Sequence, residues 1–114
     1  MKKFAIDGNQ IKSLAEGHGG CIATDMITVD GKRVGYMVRE STDRPHDSGW
    51  CFMSGNETQD YMDDPNNHAI YDVNTIANYS PDIIPLLDAP PGSAFARDPE
   101  SDMLVEVPYE EPPE

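Results

Sequence analysis

Apolar and polar residues alternate over short stretches of this chain, which is typical of β-strands that turn one face toward a core. The clearest stretch is GWCFMS at 49–54, where Trp50 and Phe52 share one face and Cys51 and Met53 share the other. Because both faces are apolar, we predict a central strand or a strand covered by a helix. Further strands are predicted at 21–24, 68–73, 92–97 and 103–108.

A β-hairpin is predicted over residues 27–40, with the DG dipeptide at its centre as the turn. This dipeptide favours a type I′ turn, in which both central residues have positive φ. In the second arm apolar residues recur at every other position, so Val34, Tyr36 and Val38 are predicted to share a buried face.

Helical periodicity is confined to short segments, each with a recognisable start or stop signal. The predicted helices are residues 9–16, residues 58–64 after a capping box of Ser54 and Glu57, residues 73–79 after an Asp72 cap, and a short helix beginning at Ser80-Pro81. Short strands mixed with short helices indicate an α+β fold, in which the helices pack on a small antiparallel sheet.

The length of 114 residues suits a single domain with one modest core. We assign residues 1–108 to this domain. Residues 109–114, YEEPPE, are acidic and proline-rich, and we expect them to be disordered or extended. The predicted core consists of apolar residues from strands and helices: Val34, Tyr36, Val38, Trp50, Phe52, Ile76, Ile83, Leu86, Leu87 and Phe95.

The charge balance narrows the choice of partners. Asp and Glu number 21 against 8 Lys and Arg, which gives a formal net charge of -13. An acidic surface repels nucleic acid and anionic lipid, whereas it attracts a basic protein. The start of the chain lacks the apolar run of a signal peptide, so we expect a cytoplasmic protein with Cys21 and Cys51 as reduced thiols. A disulfide between these cysteines would require the fold to place them side by side.

No catalytic or metal-binding motif emerges from the residue spacing. The acids after Met53 lack the central Gly of a calcium loop, and the Cys and His residues lack the spacing of a zinc site. Cys51 could in principle be a nucleophile, but it lies in an apolar strand, where a thiol is inert. We therefore predict no enzyme activity, no cofactor and no metal.

Residues 47–67, DSGWCFMSGNETQDYMDDPNN, contain the best candidates for partner binding. Acids at the end of a helix oppose the helix dipole, so local helix stability does not explain them. These acids are either a solvated face or a recognition face, and the only tryptophan is either a core residue or an anchor within such a face. The predicted partner-binding residues are Trp50, Glu57, Asp60, Asp63 and Asp64.

Five strings occur in order at close spacing: VGYMVRE, DSGWCFMSG, YMDDPNN, IYDVNTIANY and IIPLLDAPPGSAF. Together they resemble a bacterial family that was first catalogued as a domain of unknown function and later assigned to predicted immunity proteins of polymorphic toxin systems. The resemblance covers about residues 20–97 and implies an α+β domain that binds a toxin without catalysis or cofactor. Cys51 departs from the larger or polar residue expected there, and the acidic segment after residue 98 lies outside the shared region.

The leading hypothesis is therefore an immunity protein that binds and neutralises a cognate basic protein toxin, with a nuclease as one candidate class, through an acidic surface. The resemblance carries over no catalytic residue. An alternative is a non-catalytic regulatory or housekeeping module with another ligand, and a homodimer is compatible with either hypothesis. An enzyme that uses the acids or Cys51 is a third hypothesis.

Overall fold

The computed structural model describes residues 3–43 and 46–109, which form a six-stranded sheet in the order β4-β1-β3-β2-β5-β6. The strands are β1 (Gly20–Thr24), β2 (Tyr36–Arg39), β3 (Asp47–Met53), β4 (His68–Asp72), β5 (Ala94–Arg97) and β6 (Leu104–Val107). This confirms the predicted α+β class. The sheet is mixed rather than wholly antiparallel, because β1 and β3 run parallel while the other neighbours are antiparallel.

The helices are short. They are α1 (Asp25–Thr28), α2 (Gln59–Asp63), α3 (Val73–Tyr79) and 3-10 helices at Gly8–Gln10, Pro65–Asn67 and Pro81–Leu86. The predicted Asp72 cap is confirmed, since its side chain accepts a hydrogen bond from the backbone N–H of Asn74 at 2.8 Å. Thr58 caps α2 by accepting from the N–H of Tyr61 at 3.1 Å. None of the described helices has the length and apolar character needed to cross a bilayer.

One face of the sheet supplies all the strand residues of the hydrophobic core. Met37 lies opposite both Phe52 and Phe95, and Ala23 lies opposite Phe52, so these residues point to the same side. The helical residues of the core cluster are Ile27 of α1, Val73, Ile76 and Ala77 of α3, and Ile83 and Leu87 in and after the last 3-10 helix. The core is therefore a single layer between the sheet and these helices.

The predicted hairpin over residues 27–40 is wrong. Asp25–Thr28 forms α1 instead, and the N–H groups of Asp30 and Gly31 donate back to the carbonyls of Asp25 and Ile27. Gly31 has a φ of 78°, as expected of a glycine that ends a helix. The Asp30-Gly31 dipeptide, which predicted a hairpin, therefore lies at the end of α1 instead.

The predicted face of β2 also needs correction. Met37 points into the core, whereas Tyr36 is only partly buried. Val38 is buried as predicted, at 8% exposure, but on the opposite side of the sheet. Val34 is buried but precedes the strand. Among the other predicted core residues, only Leu86 is partly exposed; Trp50, Phe52, Ile76, Ile83, Leu87 and Phe95 are buried.

The predicted helix over residues 9–16 is also absent, because α3 engages this segment's backbone. The side-chain oxygen of Asn74 accepts hydrogen bonds from the N–H groups of Leu14 at 2.7 Å and Ala15 at 2.8 Å. Its side-chain nitrogen donates to the carbonyl of Lys12 at 2.9 Å. A tertiary contact thus satisfies the backbone groups that a helix would pair internally.

Cys21 points into the core, while Cys51 lies on the opposite face, and both are free thiols. The disulfide that sequence left open is therefore not formed. Of the predicted tail, Tyr109 is partly buried, and residues 110–114 lie outside the described residues.

Candidate protein-binding surface

Trp50 lies in the core with 2% of its surface exposed. Its ring stacks on Phe52 with centroids 5.9 Å apart, and its indole N–H donates to the carbonyl of Leu87 at 3.3 Å. The guanidinium carbon of Arg39 lies 5.7 Å from the ring centroid, within the range of a cation–π contact. Of the two roles that sequence left open for Trp50, the structure favours the core residue.

Glu57 organises the loop that joins β3 to α2. Its carboxylate accepts from the hydroxyl of Thr24, from the N–H of Ser54 at 2.8 Å and from the N–H of Gly55 at 2.9 Å. Burial tends to raise the pKa of this carboxyl, but the hydrogen bonds from Thr24 and Ser54 outweigh burial and hold the pKa below its usual range. The hydroxyl of Ser54 also accepts from the N–H of Asn56 at 3.2 Å. Both hydrogen bonds of the predicted capping box are thus present, but they close a loop rather than start a helix.

The other three predicted acids are exposed on and just after α2. Asp60 makes no hydrogen bond or ion pair within the described parts of the chain. Asp63 accepts from the side chain of Gln59 at 2.8 Å, and Asp64 accepts from the N–H of Asn66 at 3.0 Å. We name Asp60, Asp63 and Asp64 the α2 carboxylates. They lie beyond the end of the sheet where β3 finishes and β4 begins.

Three arginines are engaged within the fold and do not neutralise the α2 carboxylates. Arg33 forms a bidentate pair with Asp102 at 2.8 and 2.9 Å. Arg39 donates to the carbonyls of Ser48 and Ala89 at 2.9 and 2.7 Å. Arg97 pairs with Asp82 and donates to the carbonyl of Val34, both at distances from 2.7 to 3.1 Å. In addition, residues 45–96 contain no Lys or Arg, so no basic residue lies close to the α2 carboxylates in sequence.

The sheet face opposite the core is apolar and carries no strand residue of the core cluster. One residue of each strand contributes to a continuous row in register across the sheet: Ile70, Ile22, Cys51, Val38, Ala94 and Val107. We name this row the open sheet face. Ile70 is 77% exposed and Ile22 is 42% exposed, whereas Val38 at 8% and Ala94 at 0% are buried, so the row is accessible mainly at its β4 and β1 end.

Carboxylates border the open sheet face at the end where β3 begins. A depression in the surface is lined by Ile22 and Cys51 together with Glu40, Asp43 and Asp47. Asp47 accepts from the N–H of Gly49 at 2.9 Å, which fixes its position, while Glu40 and Asp43 are exposed. Apolar surface and negative charge therefore meet in one place.

Comparison with known families decides what kind of protein carries these surfaces. Residues 21–107 match the Immunity protein Imm33 domain, which is most of the chain and nearly the whole sheet. The chain belongs to the Imm33 family. The immunity-protein resemblance expected from sequence is thereby confirmed. No curated protein and no solved structure matches the chain.

The described residues of this Imm33 domain contain neither an activated Cys51 thiolate nor a group of metal ligands. Burial, followed by the nearby carboxylates of Glu40 and Glu57, raises the pKa of Cys51 to about 11, so the thiol is protonated at neutral pH. Among the described residues, no three His, Cys, Asp or Glu side chains group closely enough to hold a metal ion.

The open sheet face is the feature that sequence reasoning missed. Its signal was present in β3, where Cys51 and Met53 make the second face of the strand apolar. That pattern predicts burial on both sides, which a covering helix inside the domain would satisfy. In this Imm33 domain α1, α3 and the Pro81–Leu86 helix all contribute to the core on the other side. The part of this apolar face that stays exposed, around Ile22 and Ile70, can instead be covered by a partner.

Proposed function

We propose that this Imm33 protein neutralises a cognate toxin by binding it through an acidic surface, without catalysis and without a cofactor. Family membership is the observation that carries this proposal, since an immunity protein implies a toxin partner. The free thiols of Cys21 and Cys51 are consistent with action in the reducing cytoplasm. A toxin with a basic surface, as expected of a nuclease, is the partner that the charge of this chain favours.

The α2 carboxylates support an electrostatic contribution to binding. They are exposed and lie in a stretch without Lys or Arg. Opposite charges on two partners accelerate their encounter by roughly 10- to 1000-fold at low ionic strength, and salt screens this effect. The predicted binding residues Asp60, Asp63 and Asp64 keep this role in the proposal. Glu57 contributes to the position of α2, and Trp50 supports the sheet from inside.

The test first identifies the toxin by pull-down of the tagged chain from its native cell and mass spectrometry. The captured toxin domain is then purified as a catalytically inactive variant. Stopped-flow association is compared for wild type and for Asp60→Asn, Asp63→Asn and Asp64→Asn combined. Asn retains the capping ability of Asp64, so the fold is preserved. The matched control combines Asp88→Asn, Glu100→Gln and Glu106→Gln, three exposed acids elsewhere that lose the same charge.

We expect the α2 triple variant to associate at least about tenfold more slowly than its control at low salt, with the difference shrinking at high salt. Equal rates for the two triple variants would show that the α2 carboxylates do not guide the toxin. Failure of the wild-type chain to bind or inhibit the toxin would overturn neutralisation itself.

A further inference from the structure

We propose that the exposed β4 and β1 end of the open sheet face is the surface on which the toxin sits, and that the depression beside Ile22 and Cys51 receives a Lys or Arg side chain of the toxin. This inference rests on the proposed function and specifies its interface. The α2 carboxylates alone would offer charge without apolar contact area. Tight interfaces combine a desolvated apolar centre with a charged rim.

The exposed isoleucines are the first observation in support. Ile70 at 77% and Ile22 at 42% exposure are neighbours in register on β4 and β1, so they form one patch rather than two isolated side chains. Cys51 continues the patch into the centre of the sheet. A contiguous apolar patch on a strongly charged protein marks a contact surface, because water penalises its exposure.

The second observation is the charge around this patch. Glu40, Asp43 and Asp47 line the depression whose apolar part is Ile22 and Cys51. A Lys or Arg side chain matches such a site, since its methylene stem packs on apolar atoms while its charged end reaches the carboxylates. The α2 carboxylates lie beyond the opposite end of the strands, so negative charge borders the open sheet face at both ends.

The same charges argue against two other occupants. A second copy of this chain would bring another formal charge of -13 to the contact, with its own carboxylates bordering the same apolar row. Like charges placed together across an interface disfavour association. An anionic membrane surface is repelled in the same way. A partner with a basic surface gains both apolar contact and charge pairing, so we commit to the toxin.

The experiment measures toxin binding by two double variants, each compared with its own matched control. The first variant combines Ile22→Thr and Ile70→Thr, which removes apolar surface, keeps β-propensity and leaves the charge unchanged. Its control combines Leu14→Thr and Met103→Thr, which are 41% and 64% exposed but belong to other surfaces. The second variant combines Glu40→Gln and Asp43→Asn, with Asp88→Asn and Glu100→Gln as control. Circular dichroism and Trp50 fluorescence verify the fold of each variant.

We expect the isoleucine pair to raise the Kd for the inactive toxin domain at least about tenfold through faster dissociation, with the salt dependence unchanged. The acid pair should raise the Kd several-fold and flatten the salt dependence. The controls should stay within about twofold of wild type.

Isoleucine and acid variants that both bind like their controls would overturn the inference, while normal binding by wild type would leave the proposed function standing. Sedimentation of the chain alone provides a further test. A wild-type dimer that the isoleucine pair disrupts without a change in toxin affinity would assign the open sheet face to self-association and also overturn the inference.

Discussion

The hydroxyl of Thr24, the last residue of β1, donates a hydrogen bond to the carboxylate of Glu57 in the loop after β3. The same carboxylate accepts from the backbone and the hydroxyl of Ser54. One side chain thus joins the ends of two parallel neighbours and sets where the chain departs toward α2. Glu57, which is predicted from sequence to be a partner-binding residue, therefore has a structural role.

Replacing Glu57 by Gln should lower the free energy of unfolding by about 1–3 kcal/mol, since a neutral amide makes weaker hydrogen bonds and presents only one acceptor oxygen. Urea titration followed by circular dichroism measures the change. Asp60→Asn is the matched control, because it neutralises a nearby exposed acid with no described partner, and it should stay within about 0.5 kcal/mol. A Glu57→Gln variant as stable as this control would contradict the structural role.

The pH dependence of the free energy of unfolding should show the stabilising contribution of the Glu57 carboxylate. Because hydrogen bonding lowers the pKa of Glu57 in the folded state, its contribution is complete above the unfolded pKa of roughly 4.3. The contribution is then lost as the pH falls further, through the folded pKa. Urea titrations from neutral pH down into this range should show wild type losing more stability than Glu57→Gln. Parallel acid profiles for the two proteins would argue against the lowered pKa.

Trp50→Ala should cost about 3–5 kcal/mol of stability, because the variant leaves a cavity beside Phe52 and removes the hydrogen bond to the carbonyl of Leu87. Guanidinium titration followed by circular dichroism measures it, since the variant lacks the only tryptophan. Leu14→Ala, at an exposed apolar position, should cost much less. A near-zero cost for Trp50→Ala would instead make Trp50 a contact residue.

Cys51 should react slowly with a thiol reagent in the native protein. A pKa of about 11 leaves roughly a hundredfold less thiolate near neutral pH than an ordinary cysteine has. A Cys21→Ala background isolates the signal, and the same protein in urea provides the fast reference rate. Rapid labelling of the native protein would revive the hypothesis that Cys51 is a nucleophile.

Sequence predicts most strands because their alternation is local, and it identifies the apolar residues of β3 and α3 because burial and chain pattern agree there. It fails where distant groups decide the outcome. Asn74 captures the backbone of Leu14 and Ala15, which removes a helix that local periodicity favours. Gly31 ends a helix rather than forming a hairpin turn, since its N–H finds the carbonyl of Ile27.

The candidate site was predictable only in part. The exposure of Asp60, Asp63 and Asp64 follows from their polarity alone. The hydrogen bond between Glu57 and Thr24 joins residues far apart in sequence and requires the fold to be known. The same holds for the row through Ile70 and Ile22, which exists only once β4 is paired with β1.

Because the helices contribute to the core on a single side of the sheet, consecutive residues of one strand face different surroundings. Phe52 packs in the hydrophobic core on which the fold depends, whereas Cys51 next to it lies outside the core cluster. Under the proposed interface, substitutions at every second position of β1, β3 and β4 change the contact surface and leave the core residues in place.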